Sequence, residues 1–137
     1  MALSTRDAKR LIRTFLLGRP EIVALVDDRI YGSHLQDSDV ETVEFPIIVF
    51  EFLSGRASWD TAVQAQTLEV YAYSKRSGDE ASKIYDAVFD AIQHERLAVD
   101  GITVKALTRE VQRPVDGWNQ NVRAWFSRAR WQYSSSE

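Results

Sequence analysis

Hydrophobic positions near the start of the chain recur with helical spacing, between about Thr5 and Leu17. They are Ala8, Leu11, Ile12, Phe15 and Leu16. Ser4 suits the position before a helix, and Gly18 is expected to end the helix in a left-handed conformation. Pro20 then suits the first turn of a second, short helix. The pattern predicts two consecutive helices over the core.

A third helix is predicted after residue 77. Ser77-Gly78-Asp79-Glu80 matches the capping box, in which the serine hydroxyl accepts from a backbone amide and the glutamate reaches back to the cap. The apolar positions that follow again have helical spacing. They are Ala81, Ile84, Tyr85, Val88 and Ile92. This pattern predicts an amphipathic helix that ends near His94-Glu95-Arg96.

Four extended segments have the composition of strands. They are Ile47 to Leu53, Thr61 to Ser74, Ile102 to Arg113, and Val122 to Tyr133. Pro114 with Asp116-Gly117 is expected to form the turn between the last two strands, and the polar residues 134–137 are expected to fray. The element order favours one α+β domain over residues 1–137. We expect a single-layer antiparallel or mixed sheet of about four strands, with about three helices packed on one face.

The strand from Ile47 to Leu53 is apolar on both faces, apart from Glu51. The sequence supplies helices for only one of these faces, and a second sheet layer is not expected in so short a chain. We therefore expect a neighbouring subunit to cover the other face, with Ile47 and Val49 in the contact.

The last strand changes from apolar to basic along one face. Without a bulge, strand alternation places Val122, Ala124, Phe126, Arg128 and Arg130 on that face. Trp125, Ala129, Trp131 and Tyr133 then share the other face, which we interpret as core. Arg128 and Arg130 are candidates for a subunit contact. The alternative is a nucleic-acid surface that also uses Arg123, since guanidinium groups bind phosphate and aromatic rings stack on bases.

Residues 33–44 lack hydrophobic periodicity and contain no Lys or Arg. This acidic segment is predicted to be an exposed loop that is either mobile or used for contacts. Its Asp37, Asp39 and Glu41 are candidates to face Arg128 and Arg130 of the next copy, which predicts salt-sensitive assembly. The alternative is an acid/base pair or a divalent-cation site formed by the carboxylates of residues 37–44 and Asp27-Asp28, although their spacing is not that of an EF-hand.

Composition argues against most chemical functions. The 137 residues include no Cys, and a net charge of −3 disfavours a free-standing nucleic-acid binder. His34 and His94 do not lie in a metal-binding pattern, and we find no nucleophile or phosphate-loop motif. We therefore predict no catalytic residue, metal or cofactor. The sequence shows neither a signal-peptide pattern nor a membrane-length apolar run, so we expect assembly in the cytoplasm without a membrane partner.

Three blocks in a fixed order carry a family resemblance. They are Asp28-Arg29-Ile30-Tyr31-Gly32, Phe45-Pro46-Ile47-Ile48-Val49-Phe50 and Leu68-Glu69-Val70-Tyr71-Ala72-Tyr73-Ser74. Together with the closing strand Arg123-Ala124-Trp125-Phe126-Ser127, they resemble the tail-completion or tail-terminator proteins of long-tailed bacteriophages. The resemblance spans nearly the whole chain.

The resemblance implies a non-enzymatic virion protein that forms a ring, typically of six copies, at the head-proximal end of the tail tube. Such a ring ends tube polymerisation, binds the tail tube protein and offers a surface to the head-tail connector. DNA then only passes through the lumen. The alternatives are a head-side connector or neck protein and, from another class, a small cytoplasmic enzyme or ligand-binding module with scattered site residues.

Overall fold

The computed structural model describes residues 5–32, 43–57, 64–92, 96–99 and 102–136. Within these residues the chain forms three helices and six strands. The helices are α1 (Thr5–Leu17), α2 (Pro20–Val26) and α3 (Gly78–Ile92). The strands are β1 (Ile30–Tyr31), β2 (Ile47–Ala57), β3 (Gln64–Ser74), β4 (Arg96–Val99), β5 (Ile102–Asn119) and β6 (Ala124–Ser136).

The strands form one sheet in the order β1-β2-β3-β6-β5-β4. β1 pairs with β2 in parallel, and each other neighbouring pair is antiparallel. The prediction of an α+β fold with a single mixed sheet is confirmed. The short edge strands β1 and β4 add to the four predicted strands, because segments of two and four residues are too short to show a period.

The main core lies between the sheet and the helices. α3 packs on β3, β5 and β6, α2 contacts both other helices, and α1 contacts the edge strands β1 and β4. Trp131 is fully buried at the centre of this core. The rings of Tyr85 and Phe89 from α3 pack against it at centroid distances of 6.4 and 5.7 Å. The interpretation of Trp131 as a core residue is confirmed. No described helix is long and apolar enough to cross a membrane.

The start of α3 follows half of the predicted capping box. The Ser77 hydroxyl oxygen accepts a hydrogen bond from the backbone N–H of Glu80 at 3.1 Å, as expected. The other half of the prediction is wrong, because the Glu80 carboxylate instead accepts from the Ser74 hydroxyl at 2.7 Å. The Ser77 N–H donates to the same Ser74 hydroxyl oxygen at 3.3 Å. Ser74, the last residue of β3, therefore ties the strand to the helix.

α1 ends at Gly18 without the predicted left-handed conformation, since φ at Gly18 lies outside the left-handed range. Its N–H donates to the carbonyls of Thr14 and Phe15, both at 3.1 Å, which is a tightened last helical turn. A positive φ of 56° occurs instead at Asp27, whose N–H closes α2 on the carbonyl of Val23. The residue with a positive φ therefore follows α2 and not α1.

The predicted turn at Pro114 and Asp116-Gly117 is wrong, because β5 continues to Asn119. Pro114 lies at a register irregularity between β5 and β6, on a part of β5 that β4 does not reach. A proline is tolerated at such a position because no regular ladder bond needs its missing N–H.

The chain reverses between β5 and β6 over residues 120–123. The Asn119 carboxamide oxygen accepts from the N–H groups of Asn121 and Val122 at 2.9 and 3.0 Å. Arg123 follows with a φ of 55°. A side-chain turn of this kind is a known role of asparagine, and here it fixes the register of the hairpin.

Candidate assembly surface on the second face of the sheet

The sheet face turned away from the helices carries a smaller apolar cluster. Its buried members are Ile47 and Val49 of β2, Tyr73 of β3 and Ala124 of β6. Half-buried apolar side chains pack around them. These are Tyr31, Val43, Phe45, Tyr71, Val122 and Phe126. None of the members comes from a described helix. We call this side of the sheet the second face.

Ile47 and Val49 are 0% exposed within the single chain. The expectation that a neighbouring subunit must cover them is therefore corrected, because other side chains of the same chain already do so. Neither residue reaches the surface. Any contact between copies on this face has to be made by the half-buried side chains that surround the cluster.

Aromatic rings pack against one another on the second face. Tyr71 and Tyr73 are stacked, with ring centroids 5.5 Å apart and an interplanar angle of 3°. Phe126 packs edge-on against Tyr73 at 6.4 Å. Its ring also lies over Gly117, where a Cβ would stand only 3.0 Å from the Phe126 Cζ atom. Gly117 therefore lets Phe126 lie flat on the sheet.

One carboxylate, that of Glu69, lies within this apolar face. Glu69 of β3 is only 4% exposed and lies opposite Arg130 of β6 in the strand register. Arg130 Nε donates a hydrogen bond to Glu69 Oε2 at 3.0 Å, and the Tyr71 hydroxyl donates to Oε1. The Arg128 guanidinium lies 5.9 Å from the ring centroids of both Tyr71 and Phe126. Both arginines are thus held by groups of the same chain.

The environment of Glu69 favours its charged form. Burial by itself raises the pKa of this carboxyl, but hydrogen bonds from Tyr71 and Arg130 and the charges of Arg128 and Arg130 outweigh burial. The pKa of Glu69 therefore lies below its ordinary value. Burial and the hydrogen bond to Glu69 raise the pKa of the Tyr71 hydroxyl. At neutral pH the carboxylate is charged and Tyr71 keeps its proton.

The structure brings some of the predicted contact residues together. Arg128 and Arg130 lie on one face of β6, as strand alternation predicts, and in the sheet this is the second face, which also carries Ile47 and Val49. Their proposed partners Asp37, Asp39 and Glu41 lie outside the described residues, as do His34 and His94.

Glu69 is the residue that sequence reasoning missed. The available signal is a single acid in the otherwise apolar stretch Leu68 to Tyr73. Its pairing with Arg130 depends on the register of β3 and β6, which the sequence does not give.

The exposed large apolar side chains of the described residues lie on β5. Val115 is 41% exposed and Trp118 is 47% exposed. Val115 lies opposite Arg128 in the register, and the Trp118 ring packs edge-on against Trp125 at 4.7 Å. Both residues follow the part of β5 that pairs with β4. Val115 lies on the second face with Arg128, whereas Trp118 shares the helical face with Trp125, whose ring lies near Gly78 of α3. The free edge of β5 suits contact with another protein.

Among the described residues, no cluster of three or more His, Cys, Asp or Glu side chains could hold a metal ion. The second face offers rings, guanidinium groups and an apolar edge. These groups suit binding to a protein surface.

A family model described as tail completion protein gp17 matches residues 10–134. The match runs from α1 to the end of β6 and includes all three sequence blocks. The family resemblance of those blocks is confirmed.

A solved structure titled "Virion of native gene transfer agent (GTA) particle" contains a chain with a similar fold. The TM-score is 0.68, each chain is covered over 94% of its length, and the sequence identity is 10%. At that identity the similarity shows the fold alone. A comparison with curated proteins gives no match.

Proposed function

Because the chain belongs to the tail completion protein gp17 family of phage tail proteins, we propose that it caps the head-proximal end of the tail tube as a ring. The proposed ring contains six copies, stops the addition of tube subunits and joins the tail to the head-tail connector. The observation that carries the proposal is the family match over residues 10–134. The protein acts as a structural component of the virion and not as an enzyme.

Capping of this kind works through geometry. A closed ring needs a heterologous interface, in which one patch of a copy meets a different patch of the next copy. A ring placed on the last layer of the tube covers the surface that the next layer would use. Growth of the tube then stops without any chemical step.

The second face is a proposed site of subunit contact. Tyr71, Phe126 and Arg128 present rings and a guanidinium at its outer side, which is a composition favoured at protein interfaces. Arg128 is the better candidate to meet Asp37, Asp39 and Glu41 of the next copy. The Arg130 side chain already forms an ion pair with Glu69, so it contributes less to such a contact.

The acidic segment of residues 33–44 has a second proposed role at the lumen of the ring. Carboxylates there would repel the phosphates of passing DNA and limit its sticking. DNA is in this proposal a cargo and not a bound partner.

The experiment that tests capping is the addition of purified protein to tail tubes, followed by negative-stain imaging. We expect density at one end of each tube and no further growth when tube protein is added. Deletion of the gene should give unattached heads together with overlong or uncapped tails. Tubes that keep growing in the presence of the protein would refute the proposal.

The same preparation separates the alternatives. A head-side connector would bind to isolated heads and leave the tubes uncapped. A small enzyme or ligand-binding module would bind to neither.

A further inference from the structure

The helical side of the molecule carries two helices of opposite charge. α1 contains four basic residues and one acidic residue, for a net charge of +3. α3 contains four acidic residues and one basic residue, for a net charge of −3. The whole chain has a net charge of −3, so the charge of each helix reflects local segregation.

The charges point outward along both helices. Arg10 and Arg13 of α1 are exposed. In α3 the exposed charged positions recur about one turn apart along a single stripe, with three acids and one lysine. They are Asp79, Lys83, Asp86 and Asp90. No ion pair between described residues involves Arg10, Asp86 or Asp90. These charges are therefore available to a partner.

Several of these charges do not stabilise their own helices, although Asp79 in the first turn of α3 is favourable to its dipole. Acidic residues are unfavourable near the C-terminal end of a helix dipole, yet Asp90 lies in the last turn of α3, where no basic residue compensates. The four basic residues of α1 lie within its first nine positions, and its last turn has none. An intermolecular role explains this arrangement better than intrachain stabilisation does.

The two charged helices are also separated within the chain. α2 contacts both α1 and α3. α1 packs on the edge strands β1 and β4, whereas α3 packs on β3, β5 and β6, so the two stripes lie on helices that cover different strands. Two complementary patches at different places on one molecule are what a head-to-tail ring requires.

From this arrangement we infer that the basic stripe of α1 in one copy docks against the acidic stripe of α3 in the next copy. The partner is a second copy of this chain, because one chain carries both complementary surfaces. This inference rests on the ring of the proposed function and names a contact within it. It differs from the contact on the second face, since both stripes lie on the helical side.

The test uses two charge-reversal variants of the full chain. Asp86→Lys with Asp90→Lys makes the α3 stripe basic, and Arg6→Glu with Arg10→Glu makes α1 acidic while leaving the Arg13 Nε bond to the Ile30 carbonyl intact. Each change gives its helix a more favourable relation to its dipole, so the folded state should be retained. The melting temperature of each variant is measured to verify this.

Each variant alone should lose ring formation, on tail tubes or in solution, with at least a tenfold drop in the fraction of rings seen by mass measurement and imaging. An equimolar mixture of the two should restore rings. In the mixture every contact joins an acidic α1 to a basic α3, or the reverse, and an even-numbered ring can alternate the two chains. Rescue by mixing is a result that misfolding cannot produce.

The matched control for the α3 variant is Glu21→Lys with Asp28→Lys, which changes the net charge by the same amount and in the same direction at exposed positions outside both stripes. It should assemble like the natural chain. Rings formed by each reversal variant alone, or no rescue on mixing, would overturn the helix contact while leaving capping intact. If the natural chain itself forms no ring with or without tubes, the proposed function and this inference fall together.

Discussion

Glu69 and Arg130 are 61 residues apart in sequence and form a 3.0 Å hydrogen-bonded ion pair across β3 and β6. The carboxylate is almost fully buried, whereas the arginine reaches the surface of the second face. The pair therefore anchors a charged group within an apolar layer. Its geometry also fixes which residues of the two strands stand opposite each other.

Replacing Arg130 with Gln should destabilise the fold by about 1–2 kcal/mol, because a buried carboxylate loses a charged hydrogen-bond donor and keeps only Tyr71. Denaturant unfolding measures the change. The Glu69→Gln variant and the double variant complete a mutant cycle, in which a coupling energy of roughly 1 kcal/mol is expected. Additive effects of the two substitutions would show that the pair is not formed in solution.

The stability of the protein should fall in acid through Glu69. Its pKa in the folded state is below the ordinary value of 4.5, so the unfolded chain binds this proton first as the pH falls. The contribution of Glu69 is therefore present above the unfolded pKa and is lost as the pH falls through the folded pKa. Unfolding measured from pH 6 down to pH 3 should show a smaller loss of stability for Glu69→Gln than for the natural chain. Parallel curves would exclude a lowered pKa.

The position of Arg128 on the second face also leads to a prediction about assembly. If Arg128 meets an acidic segment of the next copy, Arg128→Gln should weaken ring formation most at low salt, where exposed charges are least screened. The fraction of rings on tail tubes is measured at two salt concentrations. Arg128 is the proper site for this test, because a change at Arg130 also breaks the pair with Glu69. Rings that are indifferent to both salt and Arg128→Gln would remove this contact.

The elements in which apolar residues recur with regular spacing over many residues could be predicted from the sequence. The stripe of α3, the strand alternation of β6 and the burial of Trp131 follow from the spacing of apolar residues. The extent of β5 could not be predicted, because Pro114 and Gly117 favour a turn. The structure accommodates the proline at a register irregularity and fills the space over the glycine with the ring of Phe126.

Only part of the candidate site could be predicted from the sequence, because the order of the strands in the sheet is not evident from it. Alternation places Arg128 and Arg130 on one face of β6, but it does not show that Ile47 and Val49 of β2 lie on the same side of the sheet. Whether that face is covered depends on which strands are neighbours, and residues distant in sequence supply the cover. The expectation that a neighbouring subunit covers Ile47 and Val49 is therefore the part of the interpretation that is wrong.

Ser74 should be among the most sensitive small residues in the chain. Its buried hydroxyl donates to Glu80 at 2.7 Å and accepts from the N–H groups of Arg76 and Ser77 at 3.0 and 3.3 Å. Ser74→Ala leaves these groups without their partner and should cost about 1–3 kcal/mol of unfolding free energy. The control is Ser82→Ala, whose hydroxyl makes an exposed bond to Asp116 and should cost much less. Equal effects of the two substitutions would contradict the role of Ser74 in joining β3 to α3.

Gly117 should resist substitution because the Phe126 ring occupies the space of a side chain. Its backbone angles are not the reason, since its φ lies outside the left-handed range. An added Cβ would lie 3.0 and 3.1 Å from two atoms of the Phe126 ring, so the ring must move away from the sheet. Gly117→Ala should therefore destabilise the fold by roughly 1 kcal/mol or more. Gly78→Ala is the comparison, because its Cβ would meet Trp125 at an ordinary 3.5 Å. If the clash with Phe126 is the cause, the smaller side chain in Phe126→Leu should reduce the penalty of Gly117→Ala, and a penalty that is unchanged in the Phe126→Leu background would point to the backbone instead.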